Sequence, residues 1–175
     1  MNQQQDGKDR AARLVELIDK ASRRRLRPYR SWASVVDGTV GGEEPLAVVA
    51  RPKDPTQMQT AHASGELVVV TASYIAYATF TDLAYAMGGS RDDGPFTIDV
   101  HPRSAVEVVT LDQPALRRRP DAWVDDVDDE DDGARLPWEA KLRVRLRGRV
   151  EPLELEALHS TLPLLKLHAL LLDGM

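Results

Sequence analysis

Two groupings of side chains in this sequence have metal-binding or acid–base potential. The stretch DDEDDGARLPWE, residues 128–139, puts Asp128, Glu130 and Asp132 at positions one, three and five of a twelve-residue loop, with Gly133 sixth and Glu139 twelfth. Those are the carboxylate, turn and bidentate-carboxylate positions of a calcium-binding EF-hand loop. The remainder departs from that pattern. The eighth position, where a branched apolar residue normally pairs two loops, is Arg135, and Pro137 falls inside the closing turn. Pro120 breaks the segment that would enter as a helix. Residues 121–132 carry eight acids and no base, so the stretch reads as a solvated charged loop that takes cations without specificity. No metal or other cofactor is assigned.

The second grouping is Asp99 with His101, two residues apart in an alternating stretch and so on one strand face. That is half of a metal or acid–base pair, and no third ligand stands at a useful spacing. GGSRDDG places Ser90 near acids but lacks the Gly-x-Ser-x-Gly nucleophile elbow, leaving Asp92 and Asp93 as turn formers. The chain has no cysteine, which removes thiolate catalysis, disulfides and sulfur-ligated zinc. The glycines of residues 38–45 lack the Gly-Lys-Ser/Thr ending of a phosphate loop. A non-enzyme is therefore expected. A metal-dependent hydrolase using Asp99, His101 and the acidic cluster is the last of the alternatives.

The elements that would position such groups begin with a helix over residues 8–26, where Ala11, Leu14, Val15, Leu17, Ile18 and Ala21 recur at helical spacing. Pro28 stops it. Leu14, Leu17 and Ile18 are candidate partner contacts. Residues 1–30 hold nine basic and four acidic side chains, and Arg23, Arg24, Arg25 and Arg27 at the helix end could meet phosphate. A solvated last turn whose cations favour the negative helix terminus is the preferred reading. Arginine outnumbers lysine 18 to 5 throughout, and the net charge is only −5, so charge alone does not select a nucleic-acid partner.

Strands are expected at residues 46–50, 67–70, 74–80, 96–100 and 105–111, with TAS as a hairpin turn between the second and third. A last hairpin follows in KLRVRLRGRVEPLELEAL. A connection over residues 148–151 would set Leu146 against Leu153 and Val144 against Leu155, with Arg145 facing Glu154 and Arg143 facing Glu156. The arginine row then reads as half of a cross-strand charge ladder. The chain closes with STLPLLKLHALLLDG, a helix with Pro163 in its first turn and Gly174 at its end. Lys166 and His168 point to nearly opposite sides, so leucines surround it and burial on more than one side is expected. Leu162, Leu164, Leu167 and Leu171 are therefore candidate partner contacts. This run is far shorter than the ~20 residues that span a bilayer, and MNQQQDGKDR has no leader-like apolar core. The expected location is cytoplasmic.

The fold class expected from these elements is α+β, mainly β. Residues 1–30 would form an amphipathic helix and basic linker, and residues 31–175 one β-rich domain with an acidic insertion at about 112–139. GELVVVTASYIAYATF, GPFTIDVHPRSAVEVV and LRVRLRGRVEPLELEAL, followed by a helix, resemble bacterial pleckstrin-homology-like domains over roughly residues 40–172. TASY stands where that family has a T-D-R-R turn. The resemblance implies a bent antiparallel sheet or partly open barrel capped by the last helix. It also implies no shared catalytic residues. The expected role is protein interaction or scaffolding, with the partner being the chain itself or a larger assembly. Nucleic-acid association through Arg23, Arg24, Arg25 and Arg27 is the alternative.

Overall fold

A computed structural model describes residues 3–22, 28, 30–52, 62–84, 95–112, 140–156 and 162–174. The elements run α1 (Gln3–Ala21), α2 (Arg30–Thr39), β1 (Ala47–Pro52), β2 (His62–Val70), β3 (Tyr74–Ala84), β4 (Phe96–Pro102), a 3-10 turn (Arg103–Ala105), β5 (Val106–Asp112), β6 (Lys141–Leu146), β7 (Leu153–Glu156) and α3 (Leu162–Leu172). This is the expected α+β, mainly β class, with helices at both ends. The strands form two open antiparallel sheets, ordered β1-β2-β3-β4 and β5-β6-β7. The chain divides into two compact units, residues 1–105 with 174–175, and residues 106–173. The boundary therefore falls after Ala105, and the N-terminal helix belongs to the first unit's core.

In the first unit the period-2 alternation of each strand delivers one apolar face to two helices. Ala50, Leu67, Val69, Ala76, Ala78 and Phe80 are buried there, against Ala11, Leu14, Val15 and Ile18 of α1 and Trp32, Ala33 and Val36 of α2. Trp32 meets Phe80 and Phe96 edge-on, with ring centroids 5.8 and 6.1 Å away. α2 is absent from the sequence reading because its ten residues, rich in β-branched and small polar types, have weak intrinsic helix preference. Packing of Trp32, Ala33, Val36 and Val40 decides the matter. α1 ends earlier than expected, at Ala21, where the Ser22 N–H donates to the Ile18 carbonyl at 2.9 Å. Arg10 Nε donates to Asp37 Oδ2 at 3.3 Å, tying α1 to α2. Gly41 and Gly42, at φ 69° and 70°, then turn the chain out of α2.

In the second unit Leu142, Val144, Leu146, Leu153 and Leu155 form the buried face of the small sheet. α3 packs on β5 and β6, with Leu164, Leu167 and Leu171 buried. The β6–β7 register differs from expectation by two residues. Leu142 faces Leu155, Arg143 faces Glu154 and Val144 faces Leu153. A two-residue shift keeps every side chain on its own face, so alternation alone cannot distinguish the two registers. The connection decides: Gly148 sits at φ 82°, the Arg149 N–H donates to the Leu146 carbonyl at 3.1 Å, and Pro152 has no N–H to extend the ladder.

Candidate functional site

Asp99 and His101 do share one face of β4, as their spacing implies. Across the sheet Asp99 pairs with Tyr77 and His101 with Ile75. Glu66 lies on the same face of the first unit's sheet, paired with Thr79. Glu66 and His101 each hold a buried side-chain atom, Oε2 and Nε2, without a hydrogen-bond partner among the described residues. They cannot share one ion. β2 and β4 flank β3, which separates them by roughly 10 Å laterally, and their β3 partners are far apart along the strand, a further ~13 Å. No group of three His, Cys, Asp or Glu side chains with metal-binding geometry occurs among the described residues. The calcium-loop candidates Asp128, Glu130, Asp132 and Glu139, and the phosphate candidates Arg23, Arg24, Arg25 and Arg27, lie outside the described residues.

A shallow depression of about 450 Å3 in the first unit is bordered by Ser73, Tyr74, Arg103 and Ser104. Its hydrogen bonds brace a turn. The Ser73 N–H donates to Glu43 Oε2 at 2.9 Å, and the Arg103 N–H donates to the Ser73 carbonyl at 2.8 Å. Hydrogen bonds from the Ser73 hydroxyl first, then from Thr71 and the Ser73 backbone, hold the Glu43 carboxyl below its ordinary range. Glu43 thus anchors the β2–β3 hairpin, whose TAS turn the sequence had placed correctly.

The outer face of the second sheet is the most organised polar surface. Along β6, Lys141 reaches Glu154 at 2.5 Å and Glu156 at 3.8 Å. Arg143 bridges Glu154 and Asp112, both at 3.1 Å. Arg145 and Arg147 share Glu107 at 3.8 and 3.5 Å. The arginine row is therefore a solvated ladder, and Glu107 and Asp112 are the members the sequence reading missed. Their signal was present: two acids in a strand that otherwise reads Val-Val-Val-Thr-Leu. Lys141, through its hydrogen bond, is the main cause of a lowered Glu154 carboxyl pKa. Each surface pair contributes a few tenths of a kcal/mol up to ~1. Neutralised cations of this kind are poor phosphate ligands.

Of the predicted partner contacts, Leu14, Ile18, Leu164, Leu167 and Leu171 are 1–2% exposed. The chain itself covers them, because each lies on the stripe of its helix that faces a sheet or a second helix. They therefore do not form an outward contact surface. Leu17 is half-buried, and the Leu162 side chain lies outside those described. Among the described residues of the second unit, Val108, Val150 and Leu172 are exposed large apolar side chains. No known protein family, curated protein or solved structure matches this chain. Among the described residues no helix is long and apolar enough to cross a membrane.

Proposed function

We propose that this chain is a cytoplasmic, non-enzymatic interaction module that works as an oligomer or as a subunit of a larger assembly. The observation that carries this reading is the unfinished burial of α3. Leu164, Leu167 and Leu171 fill one stripe, while Leu172 remains 47% exposed and Leu165 and Leu170 are half-buried. Leu165 and Leu172 stand seven residues apart, on a stripe of their own. An exposed leucine beside a half-buried one on a single stripe forms the kind of surface that another molecule covers. The pleckstrin-homology-like resemblance implies the same class of role.

Light scattering tests the reading. The native chain, 19.4 kDa as a monomer, is expected to show a larger mass. A Leu165→Glu, Leu172→Glu variant is expected to return to monomer with an unchanged circular dichroism spectrum. A monomeric native chain whose variant behaves identically would contradict it.

A further inference from the structure

Four strands are sheet edges among the described residues: β1, β4, β5 and β7. An open edge presents unpaired backbone donors and acceptors, and proteins shield it with prolines, charges, bulges or shortness. β1 ends in Pro52, and β4 lies between Pro95 and Pro102. β7 has four residues and alternates leucine with glutamate. β5 is bulged between Val106 and Val108, but residues 108–112 pair regularly with β6 and read Val-Val-Thr-Leu-Asp. That segment has no proline and no lysine. Val108 is 49% exposed and Thr110 is exposed, while Val109 and Leu111 on the other face are only half-buried.

We propose that residues 108–112 pair antiparallel with the same segment of a second copy, about a two-fold axis at Thr110. This rests on the oligomer reading above and adds to the α3 leucines named there the β5 edge, on which α3 packs. In that register Thr110 faces Thr110 of the second copy, and Val109 meets Leu111 of the second copy. The two half-buried apolar side chains thus cover each other, on the face where coverage is incomplete. Val108 meets Asp112 of the second copy, so no like charges are opposed. Asp112 brings no bare charge, because Arg143 holds it at 3.1 Å. An axis at Val109 would run into the bulge and set Glu107 against Leu111. The product is a continuous six-stranded sheet, β7-β6-β5-β5-β6-β7. Five residues from each chain bury far less than the ~1,600 Å2 of a standard stable interface, so the pairing is weak and grows with concentration.

The absence of cysteine makes a direct test available. In a Thr110→Cys variant the only two thiols of the pair oppose each other across the axis, with Cα atoms about 5 Å apart, within disulfide reach. Mild oxidation is expected to convert most of it to covalent dimer. Glu154→Cys, equally solvent-accessible but on β7, is expected to remain monomeric. Val109→Lys added to Thr110→Cys should abolish most of the dimer yield. Val108→Lys in the native chain, at an exposed site that leaves the core untouched, should lower the mass seen by light scattering. Cross-linking of Thr110→Cys no faster than Glu154→Cys would overturn the proposal. If the native mass were still doubled in that case, the oligomer reading would stand with a different surface. A native chain that stays monomeric would sink both.

Discussion

The two units solve the same burial problem with different means. The four-stranded sheet of the first unit sets one face against two helices, with Trp32, Leu14 and Ile18 fully enclosed. The three-stranded sheet of the second unit has one helix on its apolar face and a ladder of ion pairs on the other. Two helices enclose the middle strands of the first sheet, while Val48, Phe96, Ile98 and Val100 on its edge strands stay partly buried. One helix of eleven residues covers a stripe. The half-burial of Val109 and Leu111 on the apolar face follows from that shortage, while Val108 stands exposed on the charged face. Among the described residues, a single covering helix and a charged opposite face are what set the second unit apart.

The contrast can be broken most severely through the first core. Trp32→Ala removes the largest enclosed side chain and its two edge-on ring contacts, and is expected to cost about 3–5 kcal/mol in denaturant unfolding. Leu167→Ala should cost about 2–5 kcal/mol. Hydrogen exchange should localise the two effects, to β2 and β3 for the tryptophan and to β6 for the leucine. Gly42→Ala comes next, at about 1–2 kcal/mol, because alanine is strained at φ 70°. Its Cβ would also stand 2.8 Å from the Arg10 guanidinium, which must move.

The surface ladder should give the smallest effect. Arg143→Ala should cost no more than ~1 kcal/mol, and less as salt rises. The pH dependence has a definite sign. The carboxyls of Glu43 and Glu154 titrate below their ordinary range in the folded chain. Their contribution is therefore complete above the ordinary carboxylate pKa and is lost as pH falls through the lowered folded values. Glu154→Gln should flatten that acid limb of the stability curve, measured by thermal unfolding between neutral pH and pH ~3.

Class, element order and the β2–β3 hairpin were legible because alternating residues and a short turn leave few arrangements. The β6–β7 register was not, since two registers satisfy the same alternation and only the Gly148 and Pro152 geometry separates them. α2 was hidden because its helical state depends on Trp32, Ala33 and Val36 meeting a sheet formed much later in the chain. The pairing of Asp99 and His101 on one face was readable from spacing. The sequence offered them no third ligand at a useful spacing, and Glu66, on the same sheet face, lies two strands away from His101. Of the α3 leucines named as candidate partner contacts, Leu164, Leu167 and Leu171 are buried within the chain. Leu165 is half-buried and Leu172 exposed.

Sedimentation equilibrium over a dilution series, from millimolar to micromolar chain, addresses the incomplete second unit most directly. The account predicts an average mass that climbs from 19.4 kDa toward twice that value as concentration rises. A mass fixed at 19.4 kDa across the whole series would contradict it.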